Sequence, residues 1–270
     1  MKVVHHHFDR YHLHNVIVFG KTGAGKSSVI NMLLGTRPQE ATVSYSSRGE
    51  TFDHREYRLQ HHGDHYILHD TPGFNEDLTT PSKDAVQTLY DLAAHLEGGV
   101  HLLLYVVRGP RIEESPLRNY QLFKESLCRG KVPICLIVTG LENEDSPEQW
   151  WTDNKGNFDK LDMVFDNHAC ITATKGKKMK NGAHPFAETY EDSTKAVEKL
   201  LEHCLLRGWG MPRETPFVAT INRLWNFFAQ AFGGQRRGYL HELTQRLVDY
   251  GLAPDNASKI VDNIGEPGAA

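Results

Sequence analysis

Residues 20–27 read Gly20-Lys21-Thr22-Gly23-Ala24-Gly25-Lys26-Ser27, a G-x-x-x-x-G-K-S pattern that dictates the structure on either side of it. Ahead of it, Asn15-Val16-Ile17-Val18-Phe19 is an apolar, β-branched run that reads as a buried strand. Behind it, Ser27 to Leu34 carries Val29, Ile30, Leu33 and Leu34 at helical spacing and stops at Gly35. Strand, glycine loop and helix, in that order, give the pattern its physical meaning. Gly20, Gly23 and Gly25, with Lys21, Thr22 and Ala24 between them, let the backbone curl with its N–H groups inward. Such a concavity at a helix N-terminus suits a phosphate. Lys26 is expected to reach the β- and γ-phosphate oxygens, Ser27 to ligate Mg²⁺, and Ser28 to add a hydroxyl near the α-phosphate.

The rest of the chain alternates in type. Thr51 to Gln60 and Tyr66 to Asp70 read as strands joined by the turn His61-His62-Gly63-Asp64. Val100–Val107, Val132–Thr139 and Ala169–Thr174 read as further strands. Helices are expected over 84–96, 115–128, around 147–165, and over 192–206. Continuous apolar strands suit a sheet covered on both faces. The expected fold is therefore α/β, a doubly wound, mostly parallel sheet with one antiparallel edge strand. The domain reading is a polar, His-rich tail over 1–13, a nucleotide domain over 14–210, and a helical extension over 211–270.

Composition narrows the function classes. A net charge of −4 across 270 residues gives no reason to expect a nucleic-acid partner. The cysteines Cys128, Cys135, Cys170 and Cys204 form no C-x-x-C pair, which suits reduced thiols in a cytoplasmic protein. Sixteen histidines gather as His5-His6-His7 with His12 and His14, and as His61, His62, His65 and His69. Their spacing fits no finger-type or helix-borne metal site, so a polar tail and a polar hairpin tip are the expectation.

A second motif, Asp70-Thr71-Pro72-Gly73, stands at the end of its strand, where ligands bind in open α/β sheets. Asp70 there can hold Mg²⁺ through a water, and the Gly73 N–H can bond a γ-phosphate. Together with Gly20–Ser28, this resembles the septin, chloroplast-import-receptor and immunity-associated (GIMAP) group of P-loop GTPases, and most of all fungal G domain-containing proteins. The resemblance extends to Phe74-Asn75-Glu76, to Gly99 through Gly109, to Val138-Thr139-Gly140-Leu141-Glu142 and to Trp150-Trp151, and spans about 14–206. It implies GTP and GDP as ligands with Mg²⁺, and two G domains facing each other across the nucleotide.

Within that resemblance, Thr51 is preferred to Thr42 as the switch threonine and second Mg²⁺ ligand beside Ser27 and Asp70. The usual base motif N/T-K-x-D is replaced by Thr139-Gly140-Leu141-Glu142: glycine stands for lysine and glutamate for aspartate. Glu142 can still accept the guanine N1–H and N2–H₂, and Thr172-Ala173-Thr174 would close the base pocket. Phe74 occupies the position at which Ras-like enzymes place their water-orienting glutamine. Slow hydrolysis is expected, with Arg48 or a second G domain supplying charge to the transition state. Lys26, Thr51, Gly73 and Arg48 are thus the candidate catalytic residues. The alternatives are a GTP-bound assembly module with little turnover and, with less support, a phosphotransferase. The aromatic face of Phe217, Ile221, Leu224, Trp225, Phe228 and Phe232 is read as packing on protein rather than on membrane, because Arg223 is its helix's one cation.

Overall fold

A computed structural model describes residues 13–35, 43–44, 55–71, 96, 99–111, 116–128 and 130–205. Thr42, Arg48, Thr51, Gly73, Phe74, the helix expected from Asp84, the His5–His7 tail and the extension over 211–270 lie outside these residues. The elements in chain order are β1 (Leu13–Phe19), α1 (Lys26–Leu34), β2 (Val43–Ser44), β3 (Arg55–His61), β4 (Asp64–Asp70) and β5 (Leu102–Arg108). There follow α2 (Pro116–Tyr120), which continues as a π-helical stretch (Gln121–Leu127), β6 (Ile134–Thr139), α3 (Pro147–Asp159), β7 (Asn167–Cys170) and α4 (Ala187–Leu205).

The strands form one sheet in the order β2-β3-β4-β1-β5-β6-β7. Every neighbouring pair from β4 to β7 is parallel, and β3 runs antiparallel to both β4 and the short β2 outside it. The hairpin turns on His62 and Gly63, with φ of 50° and 90°. Two left-handed residues match the twist of the strands that they join.

Alternate residues of the central strands enter opposite cores. Ile17, Phe19, Leu103, Tyr105, Leu136 and Val138 pack with Tyr120 and Phe123 of the α2 segment and Trp150 and Phe158 of α3. Val16, Val18, Leu102, Leu104 and Ile137 pack with Val29, Ile30 and Leu33 of α1 and Val197 and Leu201 of α4. Each such side chain contributes roughly 1.5–3 kcal/mol by leaving water, against about 1 kcal/mol for a typical hydrogen bond. The two apolar layers therefore set the sheet's position, and the polar groups are fitted to it.

Of the expected boundaries that move, three move furthest. The last strand ends at Cys170, which leaves 171–174 as a loop pinned by Ile171 N–H to Val138 O at 2.8 Å. The helix from Pro147 ends at Asp159, and left-handed Asp162 (φ 54°) turns the chain back so that Met163 N–H reaches Phe158 O. The last helix starts at Ala187, earlier than expected, because its first turn is polar and carries no apolar period. His69 is also misread by the sequence. It is 1% exposed, not part of the hairpin tip, and its Nε2 lies 3.1 Å from Asn15 Oδ1, to which it donates.

Asn15 is the hub of this buried polar cluster. Its side-chain N–H donates to Gly99 O at 2.8 Å, and its backbone N–H donates to His101 Nδ1 at 3.0 Å. A ring whose Nδ1 accepts is neutral, with its proton on Nε2. Burial, and then the neighbouring His14, lowers the His101 pKa from 6.5 to about 4. The unfolded chain protonates this ring near pH 6.5 and the folded chain only near 4. Its contribution is therefore present above 6.5 and lost as pH falls toward 4. Stability should drop from neutral pH to about pH 4.5, with on the order of 1 kcal/mol of the drop missing in His101→Asn after allowance for solvent screening. Urea denaturation at the two pH values checks this, and equal drops in both proteins would contradict it.

Candidate nucleotide site

The C-terminal ends of β1, β4, β6 and β7 lie along one edge of the sheet, a consequence of their parallel pairing. At this edge the glycine loop leaves β1 under tight constraint. Gly20 has φ 150°, and a Cβ on it would stand 2.1 Å from Val106 O on β5, so no larger residue fits. Gly25, with φ 99°, is the left-handed N-cap of α1. Ala24 N–H donates to Lys21 O at 3.1 Å and closes the loop.

Lys26 is 8% exposed and folds over its own loop, donating from Nζ to Gly20 O at 3.1 Å and Lys21 O at 3.2 Å. Burial lowers its pKa, and Asp70 partly offsets that. Ser27 Oγ donates to Asp70 Oδ2 at 3.2 Å. Burial raises the Asp70 pKa against the pull of Lys26, Ser27 and Arg55. Asp70 Oδ1 is buried without a hydrogen-bond partner. An orphaned acceptor of this kind costs roughly 1–3 kcal/mol, more when charged. A hydroxyl beside an unsatisfied carboxylate oxygen is the donor set that a hard cation with retained waters takes, so the residues present fit Mg²⁺.

The register that places Asp70 here is enforced by its neighbour. Thr71 donates from both its Oγ1 and its backbone N–H to Val18 O, at 3.0 and 3.2 Å. Sequence reasoning passed over Thr71 as a motif filler, although its place after the aspartate was the available signal.

On the base side, Thr139 proves to be a brace for the glycine loop. Its Oγ1 donates to Ala24 O at 2.6 Å, and a Cβ on Gly25 would come within 3.1 Å of it. Leu141 is buried and Glu142 half-buried beyond it. Gly140 has φ 77°, and a Cβ there would lie 2.8 Å from Gly109 O and 3.1 Å from Arg108 Cγ. The glycine in the lysine position is thus demanded by backbone approach, and the Arg108 stem fills the space beside it. Arg108 was not singled out from the sequence, because only the fold brings β5 and β6 side by side. Thr172 is buried, with its N–H donating to Ser193 Oγ of α4 at 2.9 Å, Ala173 is half-buried, and Thr174 is exposed and caps Gly176 N–H. Hydrogen bonds therefore join the loop, Asp70 and Thr139 into one unit. Glu142 and 172–174 sit on adjacent strand ends.

Two substitutions separate bracing from base reading. Thr139→Val should lose about 1 kcal/mol of stability and weaken GTP and ATP binding by the same factor. A changed GTP:ATP ratio in equilibrium binding would instead make Thr139 a base reader. Gly140→Lys, which restores the usual motif, should lower stability by roughly 1–3 kcal/mol for its strained backbone and leave GTP affinity no tighter. Tighter binding at unchanged melting temperature would refute the steric account.

Residues 15–139 match the family model described as 50S ribosome-binding GTPase. That segment runs from the first strand through the glycine loop and Asp70 to Thr139, and it supports a G domain of the P-loop GTPase type over those residues. No curated protein matches the chain. Among solved structures, the chain is similar to the G domain of the T. maritima FeoB iron transporter, at 20% identity over 73% of this chain and 99% of that one, with a TM-score of 0.46. It is similar also to the cytosolic domain of that transporter in GDP form I, at 17% identity over 96% and 88%, TM-score 0.48. A third is the translation elongation factor SelB from Methanococcus maripaludis in complex with the GTP analogue GppNHp, at 16% identity over 76% and 36%, TM-score 0.47.

Proposed function

We propose that this chain is a cytoplasmic GTP-binding protein that hydrolyses GTP slowly to GDP and phosphate with Mg²⁺, as a conformational switch assisted by pairing of two G domains. The observation that carries the reading is the joint placement of a glycine cradle, a buried Lys26 and the orphaned Asp70 oxygen at one sheet edge. Cysteines that form no disulfide are in keeping with a cytoplasmic setting.

The chain's own groups suggest the division of labour. Lys26, now bonded to two loop carbonyls, is poised to exchange them for β- and γ-phosphate oxygens, which relieves its desolvation. Ser27 and Asp70 would hold Mg²⁺, with Thr51 joining them and Gly73 donating its N–H to the γ-phosphate. Bound Mg²⁺ supplies charge neutralisation between the β- and γ-phosphates. Glu142 would accept from guanine N1–H and N2–H₂, with Thr139, Thr172, Ala173 and Thr174 framing the pocket and the Arg108 stem standing beside Gly140. Phe74 offers no hydrogen bond to an attacking water, so Arg48 or the facing protomer would provide the missing charge. The same phenylalanine favours a second reading, a GTP-bound assembly module that scarcely turns over. Contact of the C-terminal helix with a membrane is the less favoured role for that segment.

The test is phosphate release from GTP with Mg²⁺ across a wide range of protein concentration, against Lys26→Ala as blank. Specific activity that climbs with concentration supports pairing in trans. A low, constant rate points to an unassisted switch, with Arg48→Ala the next variant. Binding of GTP without release above the blank overturns the enzyme reading in favour of the assembly module.

A further inference from the structure

At the end of β4 remote from Asp70, the β3–β4 hairpin meets α4. We propose that His61, His62 and Glu202 there form a binding site for one divalent transition-metal ion of the Zn²⁺ class, clipping the hairpin to the helix. His61 Nε2 and His62 Nε2 lie 3.0 and 3.2 Å from the same Glu202 Oε1, and the ligand atoms all fall within 4.8 Å of one another. Donors on a tetrahedral Zn²⁺ at 2.0–2.2 Å stand about 3.4 Å apart. The two nitrogen–oxygen distances lie within a few tenths of an ångström of that spacing, and side-chain rotation of the exposed His62 would set the remaining one around an ion.

The backbone is what brings the two rings together. Consecutive residues of a strand send their side chains to opposite faces. Here His61 ends β3 and His62 takes a left-handed conformation, φ 50°, so the two rings meet at 4.1 Å between centroids. Glu198 and Glu202 are one turn apart on α4. Glu198 Oε1 lies 3.9 Å from His61 Nδ1, the nitrogen that faces away from the site. That is an ion-pair distance; closing it onto the Nδ1–H would give the carboxylate–imidazole pairing that fixes ring orientation and basicity at metal centres.

Exposure is graded as a loading site requires. The His61 side chain is 9% exposed and anchored, Glu202 is 37% exposed, and His62, at 73%, leaves the ion a way in and an open coordination position. Two imidazoles with one carboxylate select transition ions over Mg²⁺, which prefers oxygen alone.

The experiment uses the full chain with His5, His6 and His7 replaced by alanine, so that the tail does not compete, in excess Mg²⁺ to saturate the oxygen site. Co²⁺ and Zn²⁺ are titrated by calorimetry and, for Co²⁺, by visible absorption. The expected result is one saturable equivalent, low-coordinate Co²⁺ bands and a melting temperature raised by Zn²⁺. His62→Asn, which tolerates the left-handed turn, and Glu202→Gln should each lose at least about tenfold in affinity, and Glu198→Gln about tenfold as an outer-shell change. Circular dichroism of each variant confirms that it is folded. Absence of saturable binding, or binding unchanged in both His62→Asn and Glu202→Gln, would leave the three residues an ion pair and overturn the site. GTP binding is measured on the same samples, so that the fate of the nucleotide reading is seen separately.

Discussion

Lys26, almost out of water, and the half-buried Asp70 are two opposite charges held at the rim of a sheet, and the surrounding structure is arranged to keep them there. Desolvating such groups costs several kcal/mol each, which their mutual attraction only partly offsets. The opposed pKa shifts, Lys26 down and Asp70 up, have the same first cause, burial. A chain that merely needed to be stable would gain from apolar residues at both positions. A ligand carrying the complementary charges, such as the proposed nucleotide with Mg²⁺, would account for their retention. The apolar layers on both faces supply the stability that makes this placement tolerable.

The strands were legible because the property that builds them is local. Val16 to Phe19, Leu102 to Val106 and Ile134 to Val138 are buried on both sides, so each reads as an unbroken apolar run. The glycine loop was legible for a similar reason, since three glycines and a lysine at fixed spacing leave few alternatives. What escaped was whatever depends on a neighbour distant in sequence. Nothing near Thr139 announces that its hydroxyl will meet Ala24 O. Nothing near Gly140 announces that Arg108 and Gly109 will lie against it. His69 was misread for the same cause: its partner, Asn15, is on another strand. A polar residue inside a half-apolar strand reads as exposed until the strand beside it is known.

These long-range contacts give the site its coherence. Ala24 O accepts from Thr139, Val18 O accepts twice from Thr71, and the Gly20 position is filled by Val106 O. Each ties the loop, or the strand that delivers it, to a different neighbour, so the cradle is held from β4, β5 and β6 together. A loop braced in this way does not need its ligand in order to take shape, and binding then spends little on ordering the backbone. The base side is braced differently. Thr172 is fixed through Ser193 to α4, while Thr174 is exposed and bonded only to its own turn. The glycine-loop end of the site is therefore the more heavily braced end.

That contrast bears on α4, which reaches both the loop after β7 and the β3–β4 hairpin tip. Ser193, in its first half, holds the loop that follows β7, while Glu198 and Glu202, further on, face the β3–β4 hairpin. The hairpin's second strand ends in Asp70, so the helix that holds the loop after β7 also grips the tip of the hairpin whose far end carries the Mg²⁺ candidate. Movement of β4 along its axis would strain its ladders to β1 and β3 and the Thr71 bonds to Val18, whereas movement of the hairpin tip would strain the histidine contacts to Glu202. Backbone hydrogen bonds in the sheet resist such sliding cooperatively, so the softer joint is the exposed His62–Glu202 contact.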